Sequence, residues 1–221
     1  MNPLSVLRDS LYFFRRHLVG ILQLCLPLVV IEALGTQLLY RQLGESASPV
    51  YGMLVSLLVY PLYSAALILY LDTRSNGQAV PKRDLFARAV QLWPALALLI
   101  LISSLLIMAG LALFIFPGVW IMVNLVFAEY LLVLRGLPVM QAMRTSASMT
   151  TGHFLRIMLC MLMVLAPLWL IDGLLMALIP DPQPGAQLLL DSLSGFLQLF
   201  STVVLYRLFM LLEGKAGPEA G

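Results

Sequence analysis

Long apolar runs alternate along this chain with short basic segments whose hydrophobic residues recur at helical spacing. The longest run lies between Arg88 and Glu129 and contains no charged side chain. A helix needs about 20 residues to cross hydrocarbon, so the run has room for two crossings. Basic residues flank it on both sides, Lys82, Arg83 and Arg88 before and Arg135 and Arg144 after. Such flanks favour the cytoplasmic side. Two crossings return the chain to that side, whereas one would split the basic residues across the membrane. FIFPGVW at 114–120 is therefore read as the tip of a hairpin, with Pro117-Gly118 as its turn.

The same reasoning predicts six spans, at 18–40, 50–71, 93–114, 118–135, 153–179 and 187–212. With the N-terminus inside, every one of the 13 Lys and Arg residues except Arg41 falls on the inner side. That asymmetry predicts an N-in, C-in topology. The outer connections are short: 41–49, the Pro-Gly tip, and the proline-rich PDPQPGA at 180–186, where no helix is expected. Residues 18–40 are expected to be a retained span rather than a cleaved signal, because a long patterned segment precedes them and the run holds Gln23, Pro27 and Glu32.

Each inner segment carries an amphipathic pattern. Leu4, Leu7, Leu11, Phe14 and Leu18 form one stripe, with Arg8, Arg15 and Arg16 off it. Leu85, Phe86, Ala89, Leu92 and Trp93 form a second, opposite Lys82 and Arg83. Val139, Met140, Met143 and Ala147 form a third. A proline stands near the start of each (Pro3, Pro81, Pro138), where its missing donor costs a helix nothing. The predicted fold is all-α: a polytopic membrane bundle of six transmembrane helices, with three short amphipathic helices on the cytoplasmic face. The whole chain, 1–221, forms a single integral membrane domain. It reads as three copies of an interfacial helix plus hairpin, and His17-Leu18-Val19-Gly20-Ile21 resembles His153-Phe154-Leu155-Arg156-Ile157. Convergence is the alternative, since any helix at that interface tends to be basic and amphipathic.

Composition agrees. The chain is 61% hydrophobic and 11% charged, with a mean hydropathy of +0.96. Soluble domains run about 45–50% apolar and about 25% charged. A net charge of +2 gives no reason to expect a nucleic-acid partner. Cys25 and Cys160 lie in apolar runs without a CxxC and are expected to be small buried hydrophobes. Ser103 with Ser104, Gly173 with Ala177, and Ser192 with Gly195 are expected at helix contacts. Pro27, Pro61 and Pro167 should bend their spans.

Four acidic residues fall within spans: Glu32, Glu129, Asp172 and Asp191. Charge inside a membrane points to function. Glu129 and Arg207 have matched depth and opposite charge, which suggests an ion pair; the alternative is that each snorkels or faces water separately. Glu32 and Asp172 suggest an outer polar pocket for a proton or cation, or plain interfacial carboxylates. No phosphate-binding loop, HExxH or GxSxG occurs. His17 and His153 are juxtamembrane, and TSASMTTGH is expected to mark a helix boundary. No catalytic residue, metal site or cofactor is therefore expected.

Three segments carry a family resemblance: VLRDSLYFFRRH, FPGVWIMVNLVFAEYLLVLRGLPVMQAMRTSASMT and VVLYRLFMLLEG. They resemble the YciC-like family of uncharacterised bacterial inner-membrane proteins. More distantly, they are similar to the membrane domain of some glycerophosphodiester phosphodiesterases. The resemblance implies a multi-pass inner-membrane protein with no assigned activity and no cofactor. In that family a proline usually stands where this chain has Glu129, so no family-wide carboxylate role is implied.

The functional expectation is a non-enzymatic role in envelope or lipid organisation. Arg8, Arg15, Arg16, Lys82, Arg83, Arg88 and Arg144 are the candidate contacts to anionic headgroups of the inner leaflet. The alternative is a small transporter or lipid flippase using the intramembrane carboxylates. A membrane-embedded enzyme has the least support. A homodimer or a membrane-protein partner is compatible with the small-residue contacts.

Overall fold

The computed structural model describes residues 3–43, 49–78, 80–178 and 184–216. They form eight helices: α1 (Pro3–Leu43), α2 (Pro49–Ser75), α3 (Lys82–Leu113), α4 (Ile115–Leu125), α5 (Ala128–Arg135), α6 (Val139–Thr150), α7 (Phe154–Leu178) and α8 (Pro184–Ala216). No strand occurs among the described residues. Six helical stretches are long and apolar enough to span a membrane, with α4 and α5 together making the fourth.

Two of the expected amphipathic helices are not separate elements. Residues 3–18 run unbroken into the first span, and residues 82–93 into the third. At a 1.5 Å rise, the 41 residues of α1 extend about 61 Å, twice the roughly 30 Å hydrocarbon thickness. Only α6 stands apart. The reason is Gly152, whose φ of +83° suits glycine and lets the chain turn between α6 and α7. His153 therefore sits in a turn while His17 lies mid-helix, so the two similar His-containing segments are not structurally equivalent.

Helix α2 is the axis of the bundle, packing on α1, α3, α5 and α8. Every residue from Tyr63 to Leu71 is buried, as expected of a helix surrounded on all sides. By contrast α7 exposes Leu155, Leu159, Trp169, Leu170 and Leu174, a surface suited to lipid. The buried stripe of α1 is Val6, Ser10, Phe14 and Ile21. It is turned from the expected one, leaving Leu11 exposed, because Phe14 packs against Phe196 and Phe200 of α8.

The α3–α4 hairpin forms where FIFPGVW predicts it, but the turn is Phe114. That residue alone is extended, closing α3 and opening α4. Pro117 sits in the first turn of α4, where its missing N–H is harmless. Gly118 faces Gly110, and a Cβ on Gly110 would come within 2.8 Å of the Gly118 Cα. Glycine at both positions is what lets the two backbones approach.

Other expected contacts are mixed. Gly195 packs on Val29 and Ser192 is buried, whereas Gly173 has open space around it. Part of the 41–49 loop and residues 180–183 of the proline-rich loop lie outside the described residues. Residues 184–186 are the first turn of α8, where Pro184 fits the start of a helix.

Gly118→Val should destabilise the protein by about 2–3 kcal/mol through overpacking against Leu111 and Gly110. Thermal unfolding in detergent checks this, with Gly173→Ala expected to change stability by less than about 0.5 kcal/mol.

Candidate functional site: a broken span and its carboxylate

The fourth span is interrupted at Val126–Phe127, between α4 and α5. A break inside hydrocarbon frees backbone groups that water cannot reach. Here α6 supplies the replacements. The Phe127 N–H donates to Ser146 Oγ at 3.1 Å, and the Ser146 hydroxyl donates to the Asn124 carbonyl at 2.6 Å. Thr150 Oγ1 donates to Asn124 Oδ1 at 2.7 Å, and Asn124 Nδ2 donates to the Trp120 carbonyl at 2.7 Å. Ser146 and Thr150 are fully buried. One hydroxyl thus serves a donor and an acceptor that the helix cannot pair internally.

This rotates α6 relative to expectation. Its buried face is Val139, Ala142, Met143, Ser146 and Thr150, while Met140 is exposed. Two hydroxyls of TSASMTTGH, those of Ser146 and Thr150, face inward onto the neighbouring span, a role beyond marking a helix end. The signal was present: Asn124 and Glu129 interrupt an otherwise apolar span, and Ser146 and Thr150 are four apart on one α6 face.

The break positions Glu129 in the first turn of α5. Ser64 Oγ of α2 donates to Glu129 Oε2 at 2.8 Å, and the Tyr60 hydroxyl lies 3.4 Å from both carboxyl oxygens. A cavity of about 260 Å³ opens beside the carboxyl, with Tyr60, Ser103, Ser201 and Thr202 among its walls. The neighbouring Tyr130 is anchored by its hydroxyl to the Thr202 carbonyl at 2.9 Å. The Tyr60 ring packs edge-on against Tyr63, 5.3 Å between centroids. Ser56, Tyr60 and Ser64, spaced four apart on one face of α2, place hydroxyls at both Glu32 and Glu129.

The expected Glu129–Arg207 pair does not form. Arg207 is half-exposed and its guanidinium lies 3.8 Å from Asp9. Matched depth is not enough when the azimuth differs. On α8 the inward face carries Leu199, Val203, Tyr206 and Phe209, and one residue further, at about 100°, Arg207 points out.

Glu32 and Asp172 are each held by a serine of the following helix, Glu32 by Ser56 and Asp172 by Ser194, both at 2.5 Å. The first and last hairpins thus share one device, a carboxylate on the first helix clamped by a hydroxyl on the second. A single pocket built from Glu32 and Asp172 is not what these contacts make.

Among the basic candidates, Arg8, Arg15, Arg16, Arg83, Arg88 and Arg144 are exposed. Lys82 is half-buried and bonded to Gln23. Nearby, Arg135 pairs with Glu213, and Arg74 lies over the Tyr70 ring at 5.4 Å. Cys25 and Cys160 are buried, as their apolar context predicts.

Six apolar spans, hydroxyl-clamped carboxylates and basic helix ends define a polytopic all-α membrane protein. Residues 46–211 match the model of the uncharacterised protein family UPF0259, and the chain belongs to that family. Its curated relatives include UPF0259 membrane proteins of Yersinia pestis (strain Pestoides F) and Yersinia pseudotuberculosis serotype O:3 (strain YPIII). Each is 29% identical over 139 residues, covering 63% of this chain and 54% of the relative. The chain thus spans about half the length of the curated relatives it matches. No solved structure matches it. The resemblance to an uncharacterised bacterial membrane family is thereby confirmed.

Ser146→Ala should cost about 1–2 kcal/mol, because it strands the Phe127 N–H and the Asn124 carbonyl. Ser148→Ala, at an exposed site on the same helix, should be neutral in the same detergent melt.

Proposed function

We propose that this chain is a non-enzymatic protein of the bacterial inner membrane, with both termini cytoplasmic, that organises anionic lipid at its basic end. One observation carries the reading: Arg8, Arg15, Arg16, Arg83, Arg88 and Arg144 present exposed guanidinium groups on segments that flank the spans. A basic residue near an anionic leaflet gains about 1 kcal/mol, so six of them concentrate such lipids around the protein. The bundle's carboxylates favour the same reading, because serine hydroxyls already engage Glu32, Glu129 and Asp172. The narrower likenesses, to the YciC-like proteins and to the membrane domain of some glycerophosphodiester phosphodiesterases, rest on the three matching segments and fit this role.

A second reading, a small transporter or flippase, has one specific support. A broken span, a membrane carboxylate and a cavity of about 260 Å³ coincide at Glu129, and broken spans surround the sites of many transporters.

Lipid that co-purifies with the protein in polymer nanodiscs tests the first reading. Wild type should be enriched in anionic over zwitterionic lipid. Changing Arg15, Arg16, Arg83 and Arg88 together to Gln should remove most of that enrichment, and an unchanged ratio sinks the proposal. For the second reading, proteoliposomes should show a proton-, cation- or lipid-coupled flux that Glu129→Gln abolishes. Absence of any flux in the wild type removes it.

A further inference from the structure

At the end of the bundle where α1 begins and α8 finishes, a pocket of about 750 Å³ opens between three helices. Arg8, Asp9 and Ser10 of α1, Ser75 at the end of α2, and Tyr206 and Arg207 of α8 line it. Its walls are held in place. The Ser75 and Tyr206 hydroxyls lie 2.7 Å apart, and Tyr206 also donates to Asp72 at 3.3 Å. Among the lining side chains, two guanidinium groups and one carboxylate leave a surplus of one positive charge, with the Asp72 carboxylate set behind Tyr206.

One atom in it is unexplained. Ser10 is 1% exposed, and its hydroxyl oxygen is buried without a hydrogen-bond partner. Stranding a buried hydroxyl costs stability, and alanine at this position would avoid the cost. Ser10 is among the residues that line the pocket beside two arginines, so its unpaired hydroxyl is available to an anion held there.

We propose that this pocket binds the phosphodiester of a glycerophospholipid, with Arg8 and Arg207 on the phosphate oxygens and the Ser10 hydroxyl as a third donor. The proposal deepens the lipid-organising reading by converting diffuse attraction at one place into a defined site. Three features select the ligand. The surplus single charge matches a singly ionised phosphodiester better than a doubly charged phosphomonoester. Guanidinium groups bind phosphate oxygens through short, charge-assisted hydrogen bonds. The surroundings suit an amphiphile: Tyr12 and Phe13 add aromatic wall, Tyr12 being 67% exposed. Within about one turn of both arginines, the half-buried Leu7 and Leu211 join Leu168 of α7 at the edge of an apolar cluster, and these side chains offer acyl chains a surface. The Asp9–Arg207 contact, at 3.8 Å between half-exposed groups, is weak enough to yield an edge of the guanidinium to the ligand.

The test is titration of the detergent-purified full chain with dihexanoyl phosphatidylglycerol, read by thermal shift and by equilibrium binding. Wild type should bind saturably. Arg8→Gln/Arg207→Gln should weaken binding about ten-fold or more, the scale of charge-assisted hydrogen bonds. Ser10→Ala should weaken it about five-fold, while its ligand-free Tm stays the same or rises because a stranded hydroxyl is gone. That opposite movement is something a purely structural Ser10 does not produce. Arg41→Gln/Arg156→Gln, at two exposed arginines outside the proposed lipid contacts, should leave the affinity unchanged. Equal losses in both double-arginine variants overturn the pocket while leaving the diffuse lipid reading intact. Saturation by inorganic phosphate alone, with the same residue dependence, makes the ligand a soluble anion and overturns the lipid assignment. No saturable binding overturns the site altogether.

Discussion

Inside hydrocarbon a backbone amide or carbonyl must find its partner within the protein. Most of this chain meets that demand with uninterrupted helix, and the fourth span does not. At Val126–Phe127 the ladder is interrupted, and the buried hydroxyl of Ser146 takes up both the freed N–H and a freed carbonyl. That substitution fixes where α6 docks, since Ser146 reaches the break only if α6 lies against α4 and α5. The dock in turn sets the direction of α5, and with it the location of Glu129. Much of the arrangement of the second half of the bundle follows from this one hydroxyl bridge.

The same economy governs the acidic groups. A lone carboxylate in a membrane is costly, and each of the three deepest here has a serine donor on a neighbouring helix: Ser56, Ser64 and Ser194. Two of these serines lie on α2, which packs on four other helices. Tyr60, between these two serines on the same helix, extends the polar line between Glu129 and Glu32. An apolar bundle gains little from burying leucine against leucine when lipid is equally apolar. These few directional contacts, together with close backbone approach at Gly110 and Gly118, give the packing its specificity.

Polarity is segregated along the molecule. Glu32, Glu129 and Asp172 engage hydroxyls within the bundle, whereas Arg8, Arg15, Arg16, Arg83, Arg88 and Arg144 are exposed on segments that flank the spans and Arg207 is only loosely paired. Exposed cations on interfacial segments attract anionic headgroups collectively. Two of them, Arg8 and Arg207, also converge on a pocket with a stranded hydroxyl, which is where general attraction can become recognition.

The sequence alone was enough to determine that this is a six-span, all-α membrane chain, because apolar run length and basic flanks are one-dimensional properties read directly along the chain. It also located the hairpin at FIFPGVW to within a few residues, and the separate α6 before Gly152. It could not say that the amphipathic segments at 3–18 and 82–93 continue into their spans, because helix continuity depends on the absence of a breaker, a weaker signal than amphipathicity. Nor could it pair Glu129. Matched depth along two helices specifies only one coordinate, and the azimuth of α8, set by packing Tyr206 and Phe209 inward, turned Arg207 away. The roles of Ser10 and Ser64 were invisible for the same reason. A serine in a helix reads alike whether it faces lipid, a broken backbone or a carboxylate, and only the tertiary structure decides which of these it meets.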